Sequence, residues 1–158
     1  MSKPKLIHGI ELTQEHIDYL KTRLRPSDIV EIRGLGVEPN EALQVSFDHS
    51  VLKWCSTYKG RPMAAYGCVP IGSLLSNAGA VWMLGTTDLE KKTAQIATAK
   101  KGINYINIML DGFDVITNYV HAENTLSLKW LKWMGFRIDK PRKIGINGEF
   151  YCRVEKRG

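Results

Sequence analysis

Two short stretches of this chain carry residue types whose spacing could do chemistry. Gly85-Thr86-Thr87, followed by Lys91 and Lys92, combines a residue that admits close backbone approach with two hydroxyls and two cations. At the start of a helix such a set suits a pyrophosphate, because the first turn presents unpaired N–H groups at the positive end of the helix dipole. The same residues would equally serve an N-capped helix with two solvated lysines. The second stretch is NYVHAENTLSLKWLKWMGF. Asn124 and Ser127 are three apart and Leu131 follows four later, so on a helix the three share a face. Leu128, Trp130 and Trp133-Met134 cover much of the remaining surface. A polar Asn–Ser edge on a helix apolar nearly all round needs a partner, either neighbouring backbone or the arm of a bound ligand.

The elements that must position these residues can be read from periodicity. Thr13 predicts an N-cap for a helix carrying Ile17, Leu20 and Leu24 on one stripe, broken by Pro26. A short helix follows, ending near Gly34, and Pro39 suits the first turn of a third. Two strand-like runs then flank Lys59-Gly60, a tight hairpin turn. After a loop over residues 70–79, AVWML is continuously apolar, as a strand buried on both faces would be. Residues 89–110 read as a helix with Ile96, Ile103, Ile106 and Leu110 on one side, ended by Asp111-Gly112. DVITNYVH reads as a strand, the Asn124 helix stops at Gly135, and Asn147-Gly148 centres a last hairpin. A strand–helix–strand crossover amid hairpins predicts a mixed α/β fold, mostly antiparallel with flanking helices, whose central strands are 80–85 and 114–121.

The chain of 158 residues is expected to form one domain, residues 1–158, with a helical N-terminal part at 12–49 and the sheet at 50–158. No apolar run reaches the length of a membrane span, and the N-terminus lacks a signal-peptide core. Three cysteines without a CxxC spacing suggest neither a disulfide framework nor a zinc site, and no metal is expected. A reducing cytoplasm is the simplest home. The net charge of +6 favours anionic partners. Its lysines are scattered, and Trp130 and Trp133 are read as core rather than as a base-stacking surface, so nucleic acid is not favoured as partner.

The order of strand, phosphate turn, long helix, strand and "N…S…L…GF" helix resembles the GNAT acyl-CoA-dependent N-acyltransferases over about residues 50–155. AVWMLGTTD, NYVHAENTLSLKWLKWMGFRI, RPSDIVEIRGLGVEPNEALQVSFDHS and RPMAAYGCVPI together resemble a phage-encoded GNAT-like family, similar to the internal virion protein A of short-tailed coliphages. The resemblance implies that two central strands splay and that acetyl-CoA, or CoA, enters the wedge between them. Met83, Leu84, Gly85, Thr86, Thr87, Lys91, Lys92, Asn124 and Ser127 become the implied cofactor-binding residues, with backbone near Leu84 orienting the thioester carbonyl. It further implies an N-acetyltransferase acting on a host protein or small amine. The alternative is a GNAT scaffold that binds and modulates a host enzyme, or a virion component. The place of action would be the host cytoplasm or the virion. Two departures stand out. The family's Q/R-x-x-G-x-G/A loop is replaced by LGTTDLEKK, and Leu131 occupies the position where many active members carry a tyrosine acid. The expected general base is His121 at a strand end, with Glu123 next, because an amine must lose a proton before it attacks.

Overall fold

The computed structural model describes residues 7–72 and 77–158. Strand β1 (Ile7–Glu11) precedes three helices, α1 (Gln14–Lys21), α2 (Pro26–Gly34) and α3 (Pro39–His49). Strands β2 (Leu52–Tyr58), β3 (Arg61–Ile71) and β4 (Ala78–Gly85) follow, then a 3-10 turn at Thr87–Glu90 and the long helix α4 (Lys92–Gly112). Strand β5 (Val115–His121), helix α5 (Thr125–Trp133) and strands β6 (Arg137–Ile138), β7 (Arg142–Lys143) and β8 (Phe150–Arg157) complete the chain. The sheet runs β1-β2-β3-β4-β5-β8-β6, with β7 also on β8. Every pairing is antiparallel except β4 with β5, the pair joined through α4. Among the described residues no helix is long and apolar enough to cross a membrane.

Local sequence accounts for most boundaries. Thr13 caps α1 by accepting from the His16 N–H, while His16 returns a bond to the Thr13 N–H. Pro26 and Pro39 each open a helix, where a missing N–H costs nothing. Lys59 and Gly60 both take positive φ, 50° and 79°, as a two-residue hairpin turn requires. Gly135, at φ 94°, follows the last turn of α5. Strand β1, which pairs with β2 from Ile7↔Tyr58 to Glu11↔Trp54, was not foreseen. Of the expected loop at 70–79, residues 73–76 lie outside the described residues.

The sheet has a core on each face. Ile17, Leu20 and Leu43 of α1 and α3 pack with Cys55, Ala65, Trp82 and Leu84 on one side. Ile106, Met109 and Phe113, at the end of α4, pack with Ile116, Val120 and Val154 on the other. Strand β4 feeds both cores: Trp82 and Leu84 face one way, Val81 and Met83 the other. Continuous apolarity in AVWML therefore does mean burial on two faces. Two expectations fail. Ile96 is 51% exposed, on the outer side of α4, and Trp133 is 57% exposed. Trp130 alone of the α5 pair turns inward, because residues three apart on a nine-residue helix need not share the buried stripe.

Candidate active site

β4 and β5 are paired in register only from Ala78↔Val115 to Ala80↔Thr117. Beyond that point they separate. The Asn118 side chain marks the parting by donating from Nδ2 to the Val81 carbonyl, a bond that replaces the next backbone rung. The space that opens is a cavity of about 130 Å³ bounded by β4, β5, α4, α5 and, across the sheet, α2. Ser127, Trp130, Leu131 and Met134 present one face of α5 to it, the i, i+3, i+4, i+7 pattern of a helix stripe. Thr98, Gly102 and Tyr105 of α4 lie opposite.

Strand alternation assigns the open edge of β4. Val81 and Gly85 turn their peptide groups away from β3, and both are occupied: Val81 O accepts from Asn118, Gly85 N–H donates to Asp28 Oδ2 at 2.9 Å, and Gly85 O accepts from the Arg25 N–H at 2.8 Å. Met83 lies between them, so its N–H and C=O point into the wedge. Leu84 is turned to β3, opposite Ala65.

Helix α2 closes the far end. Asp28 and Glu31, one turn apart, both line the cavity. Asp28 is buried against Arg25, whose Nε donates to Oδ2 at 2.9 Å. Burial pushes the Asp28 carboxyl up, and the Arg25 charge and hydrogen bond pull it back only in part. Glu31 Oε2 accepts from the His121 N–H at 2.9 Å and from Asn124 Nδ2 at 3.2 Å. No bond to its Oε1 occurs among the described residues. Burial raises its carboxyl to about 6; Asp28 adds to the rise, whereas the two hydrogen bonds and Arg25 oppose it. The Glu31 carbonyl in turn accepts from the Tyr151 hydroxyl. Thus Asp28 holds the end of β4, and Glu31 holds the end of β5.

The expected residues divide accordingly. Met83 and Ser127 line the cavity. Asn124 caps α5 through the Ser127 N–H and uses its amide N–H on Glu31, so it positions that carboxylate rather than facing the wedge freely. His121 contributes its backbone N–H to Glu31; its ring packs edge-on to Tyr151 and accepts from the Glu123 N–H through Nδ1. Gly85 makes room for Leu89: a Cβ there would lie 2.5 Å from Leu89 Cδ1 and 2.6 Å from the Met63 carbonyl. Gly85→Ala is therefore expected to lower unfolding stability by about 1–3 kcal/mol, measurable by denaturant titration. Thr86 caps the 3-10 turn, and with Thr87, Tyr19, Arg23 and Arg61 it borders a separate recess. Lys91 Nζ pairs with Asp88 at 3.0 Å, beside the Arg61 bonds that hold the Asp88 carboxyl below its usual range. Lys92, exposed, opens α4, whose N-cap residue, Lys91, makes no side-chain capping bond to the helix. Sequence reasoning missed Asp28 and Glu31. The signal was present in SDIVEI, where two acids share a face with the buried Ile32.

A splayed parallel pair inside a mostly antiparallel sheet, with α4 as its crossover, is the fold of the GNAT acetyltransferases. The chain is similar over almost its whole length to solved members. They include spermidine N-acetyltransferase from Vibrio cholerae, in complex with CoA and spermine (12% identity, TM-score 0.70, covering 96% of this chain and 95% of that one). A putative acetyltransferase from Salmonella typhimurium with acetyl-CoA matches at 9% identity and TM-score 0.68, covering 97% and 94%. An acetyltransferase of the GNAT family from Streptococcus pneumoniae matches at 9% and 0.64, covering 96% and 98%. No protein-family model matches the sequence, and no curated protein matches it by sequence.

Proposed function

We propose that the chain is an acyl-CoA-dependent N-acyltransferase whose reaction centre is the β4–β5 wedge, with Glu31 as the proton acceptor. The observation that carries this reading is the juxtaposition in one cavity of an open strand edge at Met83 and a carboxylate with a free oxygen at Glu31. The residues present fit an acyl-CoA. Thr98 Oγ1, on the cavity wall, is buried without a hydrogen-bond partner among the described residues, and a bound acyl-CoA would offer it one. The 21-residue α4 starts without a side-chain cap, leaving first-turn N–H groups for a phosphate.

When bound, acyl-CoA supplies a thioester carbonyl open to attack by an amine. Met83 N–H is the donor on the wedge edge for carbonyl charge. Glu31 takes the proton that an ammonium acceptor must lose before its nitrogen can attack, and its elevated pKa suits that task near neutral pH. The His121 N–H and Asn124 amide fix the carboxylate that does so. Leu131, on the cavity wall, has no proton to give a leaving thiolate. The acceptor to test first is a primary amine of a host bacterial protein, on the resemblance to the phage family. Release of free CoA thiol from acetyl-CoA, dependent on an added lysine-rich peptide or polyamine and abolished by blocking its amines, supports the reading. Absence of release with every amine, beside a positive control enzyme, counts against it.

A further inference from the structure

The sulfur of a thioester gathers negative charge as it leaves, and Leu131 gives it no hydrogen bond. The opposite wall of the wedge carries a hydroxyl at the matching height. Helices α4 and α5 each join parallel strands: β4 pairs parallel with β5, and β5 and β6 are both antiparallel to β8. The two helices therefore run side by side in the same direction. Gly102 sets their stagger, since a Cβ there would lie 2.7 Å from Met134 Sδ. One turn earlier on α4, Thr98 comes level with the Ser127–Leu131 turn of α5. Ala97 and Ala99, on either side of Thr98, pack into the same cluster as Met83. Thr98 thus stands on the α4 wall beside the Met83 edge, the donor for carbonyl charge, and the sulfur of a thioester is one bond from that carbonyl carbon. Its hydroxyl is also unusual. A threonine inside a helix commonly bonds the carbonyl four residues back. Thr98 Oγ1 does not, and it has no other partner among the described residues. A buried, unpaired hydroxyl costs stability, a cost that a bond to a ligand offsets.

Resting on the acyl-CoA reading above, we propose that Thr98 is a catalytic residue whose Oγ1 donates a hydrogen bond to the leaving sulfur as the C–S bond breaks. Glu31 takes the first proton of the acceptor ammonium. Its nitrogen then forms the C–N bond and loses a second proton to solvent. The electron pair of the broken C–S bond stays on sulfur as a thiolate, which takes a solvent proton after release. Thr98 keeps its own proton throughout, because an alcohol is a far weaker acid than a thiol.

The test is ultraviolet titration of the thiol of CoA bound to the purified chain, with desulfo-CoA as the blank, in wild type, Thr98→Val, Thr98→Ser and Ser127→Ala. A hydrogen bond to a charged form lowers its pKa. The bound thiol should titrate about one to two pH units lower in wild type than in Thr98→Val, and Thr98→Ser should restore most of the difference. With acetyl-CoA and an amine, Thr98→Val should lower kcat about 10- to 100-fold and leave KM for acetyl-CoA little changed. Without ligand, Thr98→Val should unfold at an equal or higher denaturant concentration than wild type, since it removes an unpaired hydroxyl; a lower midpoint would make the hydroxyl a structural one and overturn the proposal. Weaker desulfo-CoA binding by Thr98→Val would place the hydroxyl on another part of the ligand and also overturn it. Equal thiol titration in wild type and Thr98→Val, or a shift produced by Ser127→Ala alone, overturns the role of Thr98 and leaves the acyl-CoA reading standing. No binding of CoA to the wild type overturns both.

Discussion

Glu31→Gln is expected to lower kcat about 10²–10⁴-fold and at the same time to stabilise the fold above pH 6. Both effects come from one buried carboxyl. Folding raises it from 4.5 to about 6, first by desolvation and then through Asp28, against the His121 N–H, the Asn124 amide and Arg25. The folded state therefore holds a proton more tightly than the unfolded chain. This contribution to stability is fully present below about pH 4.5 and is lost as pH rises through about 6, a swing of about 2 kcal/mol. Glutamine can still accept from His121 and Asn124 through its carbonyl oxygen, but it does not titrate. Chemical unfolding at pH 8 should then find the variant more stable by up to about 2 kcal/mol, with the gap closing near pH 4.5. In the wild type, kcat/KM should rise through a limb near pH 6 that the variant lacks. A variant less stable at pH 8 would contradict this account of the site, as would an unchanged pH profile.

Asp28→Ala should be the more damaging change to the fold, costing about 3–5 kcal/mol. Arg25 and Asp28 are each only 2% exposed, and their contact is 2.9 Å. Removing the carboxylate leaves a buried guanidinium without its partner and the Gly85 N–H without its acceptor. The double change Arg25→Met, Asp28→Leu should recover most of that loss, since a buried pair replaced by apolar groups of similar volume is often near neutral. Arg33–Glu38, at 3.8 Å with both side chains more than 60% exposed, is the contrast: Arg33→Ala should shift stability by less than about 1 kcal/mol. Denaturant midpoints of these variants measure the ranking directly. Equal effects for Asp28→Ala and Arg33→Ala would mean that α2 does not stitch the strand ends together.

These two residues also mark where the sequence stopped being informative. Periodicity revealed the strand–helix–strand crossover, because AVWML, the long helix and DVITNYVH each carry a strong local pattern and Lys59-Gly60 demands a hairpin. Ser127, Met83 and the parting of the strands follow from that order together with the family resemblance. Glu31 does not. It lies 90 residues before His121, and only the folding of α2 across the sheet brings the two within hydrogen-bond distance. His121, attractive by residue type, proves to contribute its backbone, while Asn124 contributes the amide that holds the carboxylate. Gly85 is ambiguous in sequence for a related reason: a glycine admits any close neighbour, and one such neighbour here is Leu89. Strand β1 carries too little alternation to announce itself, and its place at the sheet edge is set by pairing with β2.

The central claim is that the β4–β5 wedge holds acyl-CoA. Its most direct measurement is calorimetric titration of acetyl-CoA into the wild-type chain and into Ser127→Phe, which places a ring in the cavity from the face of α5. The account predicts saturable one-to-one binding to the wild type, weakened at least tenfold in the variant while CD spectra of the two proteins superimpose. Binding that the ring leaves unchanged would place the ligand elsewhere, and no heat at millimolar ligand would contradict the claim outright.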